Sequence, residues 1–382
     1  MRAWQYTSIS GGLDKSLHLN LSAQPPPAPP VGSGNVLVEV VSASINPGEY
    51  KVAELPYIGG WVIKKPATPG MDFSGRVAVA AAGFEKGERV FGRVSATARH
   101  GSLGQCVIAS SASMTHLPDA VSFNDGACLG TAALTAYQTL VPFLPGGKGQ
   151  GRTVFVNGAS GGVGTFTVQI AKALGCHVVA ACSGANAQMV MDLGADEVID
   201  YRTKDLCAEL RKKGPTFDLV VDNVGAPFSL HRACDSCVKQ GGMMVQIGGM
   251  VSVPAVLAFM DSALRPAFLG GPKTPWKFAV TQTDKTEDLR QLADLAASGR
   301  IRSVIDTVFP FSEAPRAYEK LKTGRARGNM VVSTDDSRSI LKRCTTEFRI
   351  CWSLVTTPLC VLLKALRFLR TSKTKVLNQF RG

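Results

Sequence analysis

The sequence lacks an export signal: its first ten residues, MRAWQYTSIS, hold one basic residue and no apolar run, so neither a secretory signal nor an Arg-rich transit peptide is expected. It has ten cysteines but no cluster of them. Only Cys234 and Cys237 form a C-x-x-C, and only His231 stands nearby, short of the four ligands of a structural zinc site. The thiols are therefore expected to be reduced, in a cytoplasmic protein without a disulfide framework. Charged residues are scarce, 19% against 45% hydrophobic, which excludes a disordered chain. Glycine and proline, 39 and 21 residues, follow no period, and no internal repeat is present, so collagen-like and low-complexity classes are excluded.

What the chain does carry is 382 residues, enough for two domains, and a net charge of +13. The charge is unevenly placed. Residues 338–382 hold ten basic groups and one acid, +9, while the other 337 residues hold 32 basic and 28 acidic groups, +4. The body is nearly balanced, and no recognition motif accompanies the tail's charge, so no nucleic-acid partner is expected.

Residues 36–44, 73–80, 89–94 and 105–109 read as short strands between Gly or Ser turns, suggesting a small barrel. The pattern changes near Ser122, the expected N-cap of a helix over 123–140. Strands are then expected at 152–157, 176–182, 198–200, 219–222 and 243–247, with helices at 164–174, 187–193 and 204–212. Apolar strands alternating with amphipathic helices predict an α/β arrangement, a doubly wound parallel sheet covered on both faces. Further on, the pattern predicts strands at 277–282, 303–309 and 329–333, a helix over 287–297, and a helix over 312–321 capped by Ser312.

The sharpest motif is Gly158-Ala-Ser-Gly-Gly-Val-Gly164, which ends one predicted strand and opens the next helix. Ala159 stands at the first glycine of the G-x-G-x-x-G fingerprint, and Gly161 and Gly164 fill the other two places. Such a turn lets backbone N–H groups of Ser160, Gly161, Gly162, Val163 and Gly164 approach a pyrophosphate; the alternative is an ordinary tight turn. The following strand ends in Ala180-Ala-Cys-Ser-Gly-Ala185, with no carboxylate before Asp192 to bind a ribose 2′-OH. Ser183, Asn186 and Tyr201 can instead hydrogen-bond a 2′-phosphate, with Arg202 and Lys204 adding charge, which favours NADPH; the plainer alternative makes Ser183 and Asn186 loop and cap residues.

With Ser44-Ile-Asn-Pro47, Pro69-Gly-Met-Asp-Phe-Ser-Gly75, Thr135-Ala-Tyr137, Leu193-Gly-Ala-Asp-Glu-Val-Ile-Asp-Tyr201, 217–225 and the glycine pair after Ile247, the chain resembles zinc-independent medium-chain dehydrogenase/reductases of the quinone oxidoreductase-like group. The resemblance covers 1–334. It implies a GroES-like β-barrel catalytic domain (1–122), a Rossmann NADP-binding domain (123–283) and a C-terminal return to the first domain (284–334). Zinc-dependent relatives have Gly-His-Glu where Gly70-Met71-Asp72 stands, and a cysteine where Asn46-Pro-Gly-Glu49 stands, so no metal is expected. Asp72 is assigned to the turn before the next strand rather than to ligation or acid catalysis. The resemblance places Asn46 at the nicotinamide pocket, with Tyr50 and Lys51 as candidate side-chain donors at its mouth. It also places Thr131, Thr135, Asn223, Ile247, Gly248 and Gly249 on the cofactor side. Tyr50 as a loop aromatic, and the threonines as helix residues bonding their own backbone, remain open alternatives. Glu49 departs from the usual aspartate and Asn329 from the usual lysine. Loops around 55–65 and 251–275 are expected to shape the acceptor pocket.

Residues 335–382 lie outside the resemblance. The 14 uncharged residues between Arg349 and Lys364 are too few for a spanning helix of about 20. Leu359, Leu362, Leu363, Leu366 and Leu369 share one helical face, so the tail is read as a basic amphipathic helix for an anionic membrane surface, a helix docked on its own domain, or a disordered end. The expected activity is NADPH-dependent reduction of a small hydrophobic enone, enoyl or quinone acceptor, by a monomer or homodimer. The alternatives are an enzyme of secondary metabolism and a non-catalytic NADPH-binding scaffold or sensor.

Overall fold

Short β-branched runs between turns dominate the first 120 residues, and they form strands. The computed structural model describes residues 1–55, 62–225, 229–247, 249 and 271–334. The tail helix expected beyond 335 therefore lies outside the described residues. In chain order the first part holds β1 (Ala3–Gln5), α1 (Leu13–Ser16), β2 (His18–Asn20), β3 (Asn35–Ile45), α2 (Pro47–Ala53), β4 (Asp72–Val77), β5 (Arg89–Arg93), β6 (Cys106–Ser110) and β7 (Met114–His116). Next come α3 (Phe123–Ala127), α4 (Leu134–Leu140), β8 (Thr153–Asn157), α5 (Gly162–Ala173), β9 (His177–Cys182), α6 (Ala187–Asp192), β10 (Glu197–Asp200), α7 (Leu206–Lys213), β11 (Phe217–Asp222), α8 (Leu230–Cys237), β12 (Val238–Gln246) and β13 (Trp276–Phe278). The chain continues through α9 (Thr286–Ala297), β14 (Ile305–Pro310), α10 (Ala314–Lys322) and β15 (Asn329–Ser333).

One sheet runs β14-β15-β3-β4-β5-β7, with β6 also paired to β3. Its inner face buries Val36, Val38, Val40, Phe73, Val77 and Val90. A register shift between Val40 and Ser42 resets the alternation of β3. Beyond it Ala43 and Ile45 point inward, and Ser42 turns toward α3, donating to Asn124 at 2.6 Å. Ser74 of β4 likewise donates to the Phe123 carbonyl at 2.5 Å, and Arg76 and Arg89 lie over the Phe123 ring. The outer face of this sheet is thus polar where it meets the helices leading to the second half.

The second sheet has six parallel strands among the described residues, in the order β10-β9-β8-β11-β12-β13. Alternate residues fill two separate cores: Val154, Val156, Val178 and Val221 on one face, Phe155, Val179 and Val220 on the other. Burial on both faces explains why these strands read as unbroken apolar runs.

Several boundaries differ from expectation. The helix over 123–140 breaks into α3, a π-type turn at Leu129–Ala133, and α4; Ser122 does cap α3, accepting from the Asp125 N–H. Ser312 is not a cap: it lies in a 3₁₀ turn, and α10 starts two residues later, where Pro315 fits the first turn. The strand expected at 277–282 is only β13. Helix α8 was not anticipated, and it buries Cys234 and Cys237 in the core. No helix among the described residues is long and apolar enough to cross a membrane.

The C-terminal elements return to the first sheet. β15 pairs with β3, Met330 opposite Ile45, and Tyr318 of α10 donates to the Glu49 carboxylate. Glu49 also accepts the Asn46 and Met71 N–H groups, at 3.0 and 3.1 Å. It is buried, and burial raises its pKa from 4.5 to about 7. A carboxyl raised in this way stabilises the fold fully below about pH 4.5, and that contribution is lost as pH rises through 7. Glu49→Gln is expected to flatten the pH dependence of unfolding free energy by about 3 kcal/mol between pH 4.5 and 8. Urea titrations of both proteins across that range check this, and parallel curves would refute it.

Candidate active site

At the C-terminal end of β8 the chain turns through Gly158, at φ +73°, into α5, whose N-cap is Gly161. A Cβ on Gly164 would lie 2.1 Å from the Gly158 carbonyl, so only glycine permits this close strand–helix approach. The N–H groups of the first helical turn, Gly162, Val163 and Gly164, have no partner within the helix and face the opening with its positive dipole end. The loop is clamped from the far end of the chain. The Gly328 N–H donates to the Ser160 carbonyl at 2.9 Å, and Asn329 lies against Gly162.

Asn186 donates to the Ser160 hydroxyl at 3.1 Å, which brings the loop after β9 onto the phosphate turn. Ser183 is largely buried there and Tyr201 is exposed at the end of β10. One expectation needs correction. The sequence shows no carboxylate close behind the β9 strand, yet Asp200 pairs with Cys182 across β10 and β9. A Cβ on Gly184 would lie 2.6 Å from its carboxylate. Strand register, not distance along the chain, supplies an acid beside Gly184, in the loop that carries Ser183. Its Oδ1 accepts the Arg202 N–H at 2.9 Å, and the exposed Arg202 and Lys204 lie in the same turn.

On the strand next to β8, Asp222 fixes the turn after β11, accepting from Asn157, Val224 and Gly225 at 2.9 to 3.0 Å. Asn223 donates to the Asn157 carbonyl at 3.0 Å, but its buried Oδ1 has no partner among the described residues. Ile247 donates its N–H to the Asp222 carbonyl. Lys51 reaches over from α2 to the Gly249 carbonyl at 2.9 Å, and burial lowers its pKa. Gly248 lies outside the described residues, as do parts of both loops expected to shape the acceptor pocket. An orphaned acceptor, a helix N-terminus and a glycine cradle together fit a dinucleotide.

The expected catalytic residues are brought near one another but are differently engaged. Asn46 is the N-cap of α2, in a capping box with Glu49, and its amide donates to Asp72 at 2.8 Å. The amide nitrogen of Asn46 is therefore committed to the protein. Tyr50 is half-buried, packed on the first core with Lys322 over its ring. Thr135 shares a 2.6 Å hydrogen bond with Thr281. Thr131 donates to Asp72, so its hydroxyl oxygen has only lone pairs left to offer.

Asp72 is the residue that sequence reasoning undervalued. It is the first residue of β4 rather than a turn residue, fully buried, and bonded to both Asn46 and Thr131. Burial raises its pKa to about 6, against the opposing pull of the Arg93 charge. Ser44, Asp72 and Arg93 form one row across β3, β4 and β5. The alternation of those strands was the available signal.

Comparison with known proteins agrees with this layout. The alcohol dehydrogenase GroES-like domain family matches residues 32–145, and the zinc-binding dehydrogenase family matches 193–332. The trans-enoyl reductase pgmF of Aspergillus terreus is 40% identical over 349 residues, covering 88% of this chain and 97% of that protein. The mitochondrial NAD(P)H oxidoreductase RTN4IP1 of Homo sapiens is 33% identical over 288 residues, 70% of each. The quinone oxidoreductase of Coxiella burnetii superposes with a TM-score of 0.71 at 28% identity, over 87% of this chain and 99% of that one. With a GroES-like domain joined to a Rossmann-like parallel sheet, the chain belongs to the quinone oxidoreductase-like medium-chain dehydrogenase/reductases and is an oxidoreductase.

Proposed function

We propose that this protein is a cytoplasmic, zinc-independent reductase of an activated carbon–carbon double bond, an enone or enoyl group, or of a quinone, using NADPH. The observation that carries this reading is the donor set beside the dinucleotide cradle. Where zinc would sit are a thioether, Met71, and an amide, Asn46, whose nitrogen is already donating to Asp72. Among the described residues no three His, Cys, Asp or Glu side chains are grouped to hold a metal. That set is unsuited to zinc, which takes thiolate, imidazole and carboxylate ligands.

The α5 N-terminus and residues 160–164 would hold the pyrophosphate. Ser183, Asn186, Tyr201 and the Arg202–Lys204 turn would take the 2′-phosphate, with Asp200 partly countered by those cations. Thr131, Asn223 and the Gly249 backbone would orient the nicotinamide. When bound, that cofactor supplies the hydride. The residues around it hold the acceptor carbon in line and exclude water. Among acceptors, an enoyl group is favoured by the similarity to the trans-enoyl reductase pgmF.

NADPH oxidation, followed at its absorbance band over a panel of enones, enoyl thioesters and quinones, tests the reading; NADPH binding without turnover of any of them would overturn it. Ser183→Asp is expected to weaken NADPH binding about tenfold or more while sparing NADH, because it sets a second carboxylate beside the 2′-phosphate. Fluorescence titration with both nucleotides measures the ratio.

A further inference from the structure

Two stretches of the first half carry cations and no acid. Residues 55–71 hold Lys64 and Lys65, and residues 94–105 hold Arg99 and His100, with no aspartate or glutamate in either. The backbone brings them together. The Thr68 N–H donates to the Arg99 carbonyl at 2.9 Å, and the Gly101 N–H donates to the Thr68 carbonyl at 2.8 Å. Arg99 Nε donates to the Pro66 carbonyl at 3.4 Å, which leaves its two terminal nitrogens for another partner. Lys64 and Arg99 are exposed, and Lys65 is half-buried over the Tyr6 ring. Among the described residues none of these three cations forms an ion pair. Burial and the Arg99 charge lower the His100 pKa, so His100 adds no charge at neutral pH. Three like charges without a counter-ion raise the local potential and draw anions to that rim.

The same pairing leads to the site. Three residues beyond Thr68, the Met71 carbonyl accepts the Val94 N–H at 2.8 Å. Three residues of chain span at most about 11 Å, so the patch begins one small-molecule length from Met71, the residue that stands where zinc would sit. A cleft lined by Thr68, Met71, Ser95 and Ala98 follows this path, with Ser95 at its exposed end and Glu49 at its buried end. The Thr68 hydroxyl is buried with no partner among the described residues. The acids beside the cleft are already engaged. Glu49 accepts from Asn46, Met71 and Tyr318, and Glu54, next to Ala53, pairs with Lys322.

We propose that Lys64, Lys65 and Arg99 form an anion subsite for the acceptor, so that the preferred acceptor carries a carboxylate or phosphate group about 10 Å from the carbon that takes the hydride. This deepens the reductase reading above and rests on it. The terminal nitrogens of Arg99 take two oxygens of the anion in parallel hydrogen bonds, and the lysines add point charge. The subsite acts on binding and leaves the hydride step as it is.

The test uses the full chain and three matched enones: benzylideneacetone, its 4-carboxylate and its 4-phosphate ester. With NADPH saturating, kcat/KM for the charged probes is expected to exceed that for the neutral one about tenfold, the scale of two or three exposed charge pairs. The advantage should lie in KM and shrink as salt is raised. The double variant Lys64→Glu/Arg99→Glu should bring the ratio to one or below, whereas Lys212→Glu, on α7, should leave it. Either order of the two charged probes supports the subsite, and the probe that gains more names its anion. The same probes are titrated calorimetrically into the chain saturated with NADP⁺, which fills the phosphate loop and supplies no hydride. Tighter binding of the charged probes, lost in the double variant, without turnover of any acceptor would sink the reductase reading and leave the anion subsite standing. The proposal is overturned if the wild type treats charged and neutral probes alike, if the charged probes do not bind, or if the ratio survives the charge reversal.

Discussion

The Asp72 carboxylate accepts from Asn46 on one side and Thr131 on the other, and faces Arg93 across the strand pair. These are residues from the first sheet and from the turn that leads into the second half. A buried carboxylate needs such partners, because the desolvation cost is met only when its lone pairs are occupied. The consequence reaches outward. Asn46, held by Asp72, caps α2, and α2 carries both Glu49 into the first core and Lys51 across to Gly249. Thr131, held by the same carboxylate, sits within the π-type turn that interrupts the inter-domain helix. One anion thereby sets the position of the strand end, the helix beside it and the turn opposite.

The phosphate loop was legible because everything that defines it is local: a strand end, a glycine where a side chain would collide, and a helix opening. The parallel sheet was legible for a related reason, since burial on both faces leaves unbroken apolar runs. The site's electrostatics were not. Asp200 comes beside Gly184 only through the register of β9 and β10, and Tyr318 meets Glu49 across 269 positions of sequence. Arg93 looked like the end of an ordinary strand, because the alternation that turns it toward the helices matters only once the packing partner is known. The break between α3 and α4 was hidden as well, since a π-type turn keeps the apolar spacing of a helix nearly intact.

The two sheets solve different problems with different surfaces. The parallel sheet is apolar on both faces, and its functional groups sit at the strand ends, in the crevice where α/β folds hold ligands. The first sheet keeps one polar outer face, made so by the shift in β3, and sets it against helices rather than water. The junction thus holds the facing charges of Asp72 and Arg93 in fixed register. The chain's relatives named for enoyl, quinone and NAD(P)H chemistry share the same two-part plan.

The Gly328 N–H that holds the Ser160 carbonyl also fixes the order in which the protein can be finished. During synthesis the glycine turn and its helix emerge more than 150 residues before the strand that latches them. Until β15 has paired with β3, the cradle lacks its clamp. A nucleotide that binds the latched loop more tightly than the open one would draw the folding equilibrium toward closed chains. The last strand would then be coupled to the cradle in both directions, the strand completing the site and the ligand holding the strand.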